Sequence, residues 1–338
     1  MLRSREGDFI ADFSEVIFDV KGLVHPPDKV VAFPRFVPDR LGNRRLAGKS
    51  YRKVYALSER FTFLQTHFPH YLIFDPVFGE RLCEIPKKDI NHHYDPVSRL
   101  GELRGSDELE ELEGFALHFL EALHGQAIVP WSKLGISGSL LAKLHTTESD
   151  IDPIVYGKSN CVKVYEMLKL LTNESRSAIK AYSLGELRDL YSFRSRDTQT
   201  SFDDFVETER RKVLQGKFLQ HDYFIRCVRD WKEIEEYYGE AVYHKIGYAR
   251  IKAIVSDCSE AIFTPCRYVV ENVRLLEGKS GEDVAEVVSF RGRFCEQART
   301  GETVVAQGKV EEVKKKNGEV FVRLLLGGQV SDFMVLEG

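Results

Sequence analysis

The chain has 338 residues, more than one ordinary core accommodates, so two or three domains are expected. Hydrophobic residues make up 43% and aromatic residues 11%, which excludes a disordered chain. The formal net charge of −4 excludes a protein that coats nucleic acid through overall positive charge, so any such contact must use a local patch.

The first residues, MLRSREGDFIADF, contain no apolar targeting segment, and no run reaches the ~18 apolar residues of a membrane helix. A soluble, cytoplasmic protein is expected. Its 30% charged residues and three methionines are in keeping with heat adaptation. Cys83, Cys161, Cys227, Cys258, Cys266 and Cys295 are scattered and include no CxxC, which argues against a zinc site or disulfide framework and for reduced, buried thiols.

In chain order, residues 1–102 read as a β-rich domain. Glu15–Val20, Val30–Phe36, Lys53–Leu57 and Tyr71–Phe74 are short, β-branched or aromatic segments punctuated by Pro and Gly. Ser58–His67 reads as a short helix. The intervening loop is basic, with Arg40, Arg44, Arg45, Lys49, Arg52 and Lys53 beside Tyr51 and Tyr55. Such a loop can hold RNA by phosphate contacts and stacking. His67, His70, His92 and His93 lack a third ligand at sensible spacing and read as structural.

A composition shift at Gly101–Gly114 places the first boundary near residue 103, with Asp107 and Glu110 as a capping pair for a helix striped by Leu112, Phe115, Phe119 and Leu123. Residues 103–258 form the expected second domain. Its helices are predicted at Leu140–His145, Val162–Leu171, Leu184–Tyr191, Phe202–Leu214 (N-capped by Ser201), Trp231–Tyr238 and Tyr243–Ile254, with a strand at Phe218–Val228. Residues 259–338 read as a small β-barrel, with strands at Arg267–Leu275, Val284–Phe290, Thr303–Val313 and Val320–Leu326. Asn317-Gly318 is a hairpin signal.

The chemistry concentrates between Gly135 and Gly157. Asp150 and Asp152, at i and i+2 on a strand, point to one face. Two carboxylates cannot both be buried there without a cation, and a hard ion such as Mg²⁺ (or Mn²⁺) suits them. Upstream, Gly138-Ser139 opens a short helix, where free N–H groups and a Cβ-less residue admit a phosphate. Ten residues separate Ser139 from Asp150, room for a short helix and a return turn. Pro153 follows at once, so the strand is expected at an edge or lacking one ladder bond. In Phe218–Val228, alternation puts Gln220, Asp222, Phe224 and Arg226 on one face, and a mid-strand Asp needs a reason. That reason is a metal role or an ion pair with Arg226.

This constellation resembles the nucleotidyltransferase superfamily of DNA polymerase β: an apolar residue, Gly-Ser, a spacer, then Asp-x-Asp and apolar residues. Through IFDVKGLVHPP, YLIFDPVFGE and SFRGRFCEQA the whole chain is similar to archaeal predicted nucleotidyltransferases of unassigned substrate. The resemblance implies an α+β fold, a polymerase-β-like core of mixed sheet and helices between β-rich domains. It implies Asp150 and Asp152 as metal ligands and catalytic residues, with a third carboxylate at Asp222, and Asp203, Asp204 and Asp230 behind it. It implies ATP or another NTP as donor, held by Gly138, Ser139, Lys143, Arg210 and Arg226. Arg211, Lys212, Lys245, Arg250 and Lys252 are further basic candidates, each with a solvated-surface alternative. The reaction implied is transfer of NMP to an acceptor hydroxyl of an RNA end, a protein or a small molecule. A nucleotide- or RNA-binding regulatory module on the same fold, or an assembly scaffold, is the alternative. The flanking patches Arg40–Lys53 and Lys309–Lys316 are expected to choose the acceptor.

Overall fold

The structure, a computed structural model, describes residues 3–337. It is a mixed α+β protein that divides into two compact units. Met1–Ile73, Arg81–Lys180 and Val213–Glu235 make the first, and Phe74–Glu80, Ala181–Lys212 and Glu236–Gly338 the second.

The first unit begins with β1 (Phe9–Asp12), β2 (Ile17–Val20), β3 (Lys29–Pro38), β4 (Arg44–Leu46), β5 (Lys49–Lys53), α1 (Leu57–His67), β6 (Leu72–Asp75), β7 (Glu80–Pro86) and β8 (Ile90–Tyr94). The strands form a sheet in the order β4-β5-β3-β2-β1-β8, with β7 also on β3 and β6 on β7. Ile10, Phe18, Val20, Val30, Ala32 and Ile85 bury one part of this sheet against Leu64 of α1. Next come α2 (Pro96–Arg104), α3 (Glu111–Gln126), β9 (Leu134–Ile136), α4 (Gly138–Leu141), β10 (Pro153–Tyr156), α5 (Lys158–Leu171), β11 (Ile179–Lys180), β12 (Gln215–Phe218), β13 (His221–Phe224) and β14 (Arg226–Val228). They build two three-stranded sheets, β14-β10-β9 and β11-β12-β13. Asp95 caps α2 by accepting from the Ser98 amide at 2.7 Å, and Pro96 follows at the first turn, where its missing N–H costs nothing.

The second unit holds α6 (Leu184–Arg194), α7 (Phe202–Glu209), β15 (Ala241–Glu260), β16 (Cys266–Glu277), β17 (Val284–Ser289), β18 (Thr303–Lys315), β19 (Val320–Leu326) and β20 (Phe333–Leu336). Five strands run β15-β16-β17-β19-β18, and β15 pairs with β18 again, so the sheet closes on itself as a barrel, with β20 on β18. Closure leaves no open edge between the barrel strands. Inside lie Ile251, Val255, Tyr268, Val287, Ala306, Val310 and Leu324. Ser201 caps α7 as expected, and Gly318 takes φ +91° in the β18–β19 hairpin.

Several expected elements are corrected. Tyr243–Ile254 is strand, not helix: Ala249, Ile251, Ala253 and Val255 are buried at a spacing of two, and both sides of the chain find partners in β16 and β18. Trp231–Tyr238 shrinks to one 3-10 turn at Trp231–Glu233. Lys53–Leu57 is the end of β5 and the start of α1. Helix α3 is capped by Glu110 with Glu113, not by Asp107. The boundary expected near residue 103 is bridged, because Leu141, Ala142 and Leu144 share one core with Phe9, Ile17, Phe36 and Tyr51. The one expected at 258 is crossed by β15. No helix of the described residues is long and apolar enough to cross a membrane. The cysteines are free, and all but Cys258 are buried.

Candidate active site

The Gly-Ser turn and the Asp-x-Asp segment are joined by strand pairing. β9 runs antiparallel to β10, with Ile136 opposite Pro153, and β14 runs parallel to β10 on its other side. β10 is therefore central, and Pro153 is tolerated as its first residue, not at an edge. The Ser137 amide donates to the Asp152 carbonyl at 2.8 Å, and the Ser137 hydroxyl donates to the Gly7 carbonyl at 2.7 Å. The expected helix Leu140–His145 is the four-residue α4, so little helix dipole is available. Gly138 has φ +64°, and a Cβ there would lie 1.9 Å from Asp152 Oδ2. Its bare backbone makes room for that carboxylate, whereas the sequence suggested room for a phosphate.

The acidic face follows from one local pairing. The Ile151 amide donates to the Asp222 carbonyl at 2.9 Å, and the Phe224 amide donates to the Ile151 carbonyl at 3.0 Å. This parallel bridge sets Ile151 beside Tyr223, both buried. Alternation then turns Asp150, Asp152 and Asp222 together to the opposite face. The expected strand Phe218–Val228 is broken into three pieces, with φ +54° at Leu219, yet the alternation holds where it matters: Tyr223, Ile225 and Cys227 are buried. Asp222 has a cation as well, Lys217 at 3.0 Å.

Asp150 is open to solvent at its surface but ringed by protein. That protein environment, then the charges of Asp152 and Asp222, push its carboxyl up to about 6, against the pull of Lys53 and Arg35. Asp152 is also raised, chiefly by burial, while Arg226, Lys53 and Arg35 hold it down. The two acids repel each other and are only partly compensated by cations.

Those cations include Arg35, which the sequence reading did not single out, and Arg44 and Lys53, which it placed in a basic loop suited to RNA. Lys53 ends β5, and its burial and the neighbouring Arg35 lower it to about 8, although Asp150 and Asp152 draw it up. Arg44 donates to the Leu144 carbonyl and lies 3.4 Å from Ser149 Oγ, in the loop leading to Asp150. Burial alone would raise Asp19, but Lys21, Arg226, Arg60 and Arg35 hold it at about 2. A signal existed for Arg35: it is the one charge between Val30 and Val37, in an otherwise apolar strand.

Of the expected nucleotide-binding cations, only Arg226 lies beside the acids. Lys143 is exposed and pairs with Glu102 at 2.9 Å. Arg226 pairs with buried Glu6 at 2.5 Å while remaining beside Asp152. Arg210 is an exposed residue at the end of α7, in the second unit. Ser139 lies in α4, buried beside Gly138. Of the runners-up, Asp230 pairs with Lys133, and Asp203 and Asp204 lie in the first turn of α7. His93 pairs with buried Asp8 at 2.8 Å, the structural role expected of it. In the basic patches, Lys49 pairs with Glu15, Arg52 with Asp39 and Glu59, Lys309 with Glu80 and Glu311, Lys314 with Glu312, and Lys315 with Glu319.

Among the described residues, no group of three or more His, Cys, Asp or Glu side chains is arranged to hold a metal ion. The pair Asp150 and Asp152 nonetheless offers what Mg²⁺ uses: one or two hard carboxylates, accessible to solvent, with water and substrate phosphates supplying the rest. A groove of about 460 Å³, lined by residues that include Val16, Val37, Arg52, Phe63 and Phe68, lies apart from these carboxylates. Its charged pair, Arg52 and Asp39, is matched within the groove at 3.1 Å, whereas the acidic face offers carboxylates to a cation.

No family model matches the chain, and no solved structure does. It is 32% identical over 334 residues, 96% of each chain, to the uncharacterized protein MJ1086 of Methanocaldococcus jannaschii. Agreement of that extent along both chains means that this protein belongs to one family with MJ1086.

Proposed function

We propose that the protein is a nucleotidyltransferase that moves NMP from an NTP to an acceptor hydroxyl, on a polymerase-β-like core. The observation that carries this reading is the acidic face: Asp150, Asp152 and Asp222 turned to one side by the Ile151–Tyr223 bridge, with Gly138 packed on Asp152. Asp150 and Asp152 would hold Mg²⁺ or Mn²⁺, which when bound supplies charge neutralisation of the phosphates and alignment of the displacement. The raised Asp150 and Asp152 accord with a site that ionises fully beside a cation. Asp222, paired with Lys217, accepts the acceptor's proton at a carboxylate oxygen as the acceptor oxygen bonds to the α-phosphorus and pyrophosphate leaves. The acceptor is left open between an RNA end, a protein side chain and a small molecule.

The test is incubation with each α-labelled NTP, Mg²⁺ or Mn²⁺, and pooled RNA plus protein extract. Label should enter one class of acceptor, and Asp150→Asn or Asp152→Asn should lower transfer by roughly a hundredfold while the chain still folds. Asp222→Asn should lower turnover and spare NTP binding. Transfer by Asp150→Asn at the wild-type rate would refute the mechanism.

A further inference from the structure

Arg35 and Lys53 are out of place for structural cations. Both are half-buried, on neighbouring strands β3 and β5, where the Val54 amide donates to the Arg35 carbonyl at 2.8 Å. Their charged ends flank one ring: the Arg35 guanidinium lies 5.2 Å and the Lys53 ammonium 6.0 Å from the centre of Tyr55. Neither side chain has a carboxylate within ion-pairing distance or a hydrogen-bond acceptor among the described residues. Most other basic side chains of this region are matched: Lys21 by Glu6 and Asp19, Lys49 by Glu15, Arg52 by Asp39 and Glu59. Arg44, on β4, is fastened to the Leu144 carbonyl just before Asp150. Asp150 and Asp152 act on these cations only from beyond ion-pairing distance, so their hydrogen-bonding capacity is left for an anion from outside the chain.

We infer that Arg35 and Lys53, buttressed by Arg44, are the polyphosphate-binding subsite of the active site. The inference rests on the reading of Asp150 and Asp152 as the metal-binding pair. A triphosphate carries several negative oxygens spaced along one chain, so it can meet a fixed arginine, a mobile ammonium and a carboxylate-held cation at once. This gives Arg35 and Lys53 the role that the resemblance implied for Lys143, Arg210 and Arg226. Burial lowers Lys53 most, Arg35 and Arg44 add to it, and Asp150 and Asp152 oppose it, which places the lysine in the field of both the cations and the acids.

The test is calorimetric titration of the full chain with inorganic tripolyphosphate, and separately with a short RNA. The wild type should bind tripolyphosphate. Arg35→Ala and Lys53→Ala should each weaken it about tenfold to a hundredfold, the scale of a lost charge-assisted hydrogen bond. Unchanged tripolyphosphate affinity in both alanine variants overturns the inference, as does loss of RNA binding alone, which would make this a nucleic-acid track. Absence of label transfer would defeat the transferase reading and leave the polyphosphate subsite standing, so the two failures are separable.

Discussion

Replacing Asp150 with Asn should make the protein more stable in the absence of metal. The folded state holds this carboxyl up to about 6, against an ordinary 3.8, through burial and the charges of Asp152 and Asp222. A shift of that size corresponds to about 3 kcal/mol at ~1.4 kcal/mol per unit, and because Asp150 is open to water, screening reduces it to about 1 kcal/mol. The sign follows from proton binding. Between 3.8 and about 6 the folded wild type binds more protons than the unfolded chain, so its stability falls as pH rises through that window and stays low above it. The advantage of Asn is therefore full above about pH 6 and vanishes below the ordinary value. Both tryptophans, Trp131 and Trp231, lie in the same compact unit as Asp150, so urea unfolding followed by tryptophan fluorescence reads the right part of the molecule. Adding Mg²⁺ should then reverse the order, since an ion at a hundred times its dissociation constant stabilises by about 2.7 kcal/mol and the Asn variant binds it weakly. A variant no more stable than the wild type at neutral pH, without metal, would refute the account of charge repulsion at this site.

Three further outcomes are expected. Gly138→Ala should lower the unfolding midpoint, because a left-handed φ costs ~1 kcal/mol and the new Cβ displaces the Asp152 carboxylate; the same variant should lose the stabilisation by Mg²⁺. Lys212→Met should destabilise by about 3–5 kcal/mol, read by circular dichroism because the second unit has no tryptophan. Lys212 and Glu209 are almost wholly buried and 2.5 Å apart, and Lys212 also donates to Gln297 and to the Arg293 carbonyl. Acid should weaken the first unit through His25. Its Nδ1 accepts from the Val31 amide and its Nε2 donates to the Ser4 carbonyl, so the ring is held neutral and burial pushes it down to about 4. The stability it contributes is full above 6.5 and is lost as pH falls toward 4, and His25→Gln should remove that dependence from a series of urea midpoints.

What was legible in the sequence is what the chain decides over a few residues. Gly138-Ser139 before Asp150-x-Asp152, the Ser201 cap, the Asn317-Gly318 hairpin and the alternation around Asp222 are all local, because turn geometry and strand pleat act between near neighbours. β15 was misread because its identity as a strand depends on pairing with β16 and β18, and such partners are not visible in a window of residues. The expected boundary near 103 failed for a related reason: Phe9, Phe36 and Tyr51 are apolar whatever they pack on, and only the fold places them against Leu141 and Leu144. The cationic half of the site was legible only in part: Arg44 and Lys53 were noticed as a basic loop and given the acceptor, and Arg35 was not singled out. Arg35, Arg44 and Lys53 stand about a hundred residues before Asp150. Charge acts through space and not along the chain, so the acids could be found from spacing, while the cations that share their field emerged only once the tertiary structure had brought β3, β4 and β5 beside them.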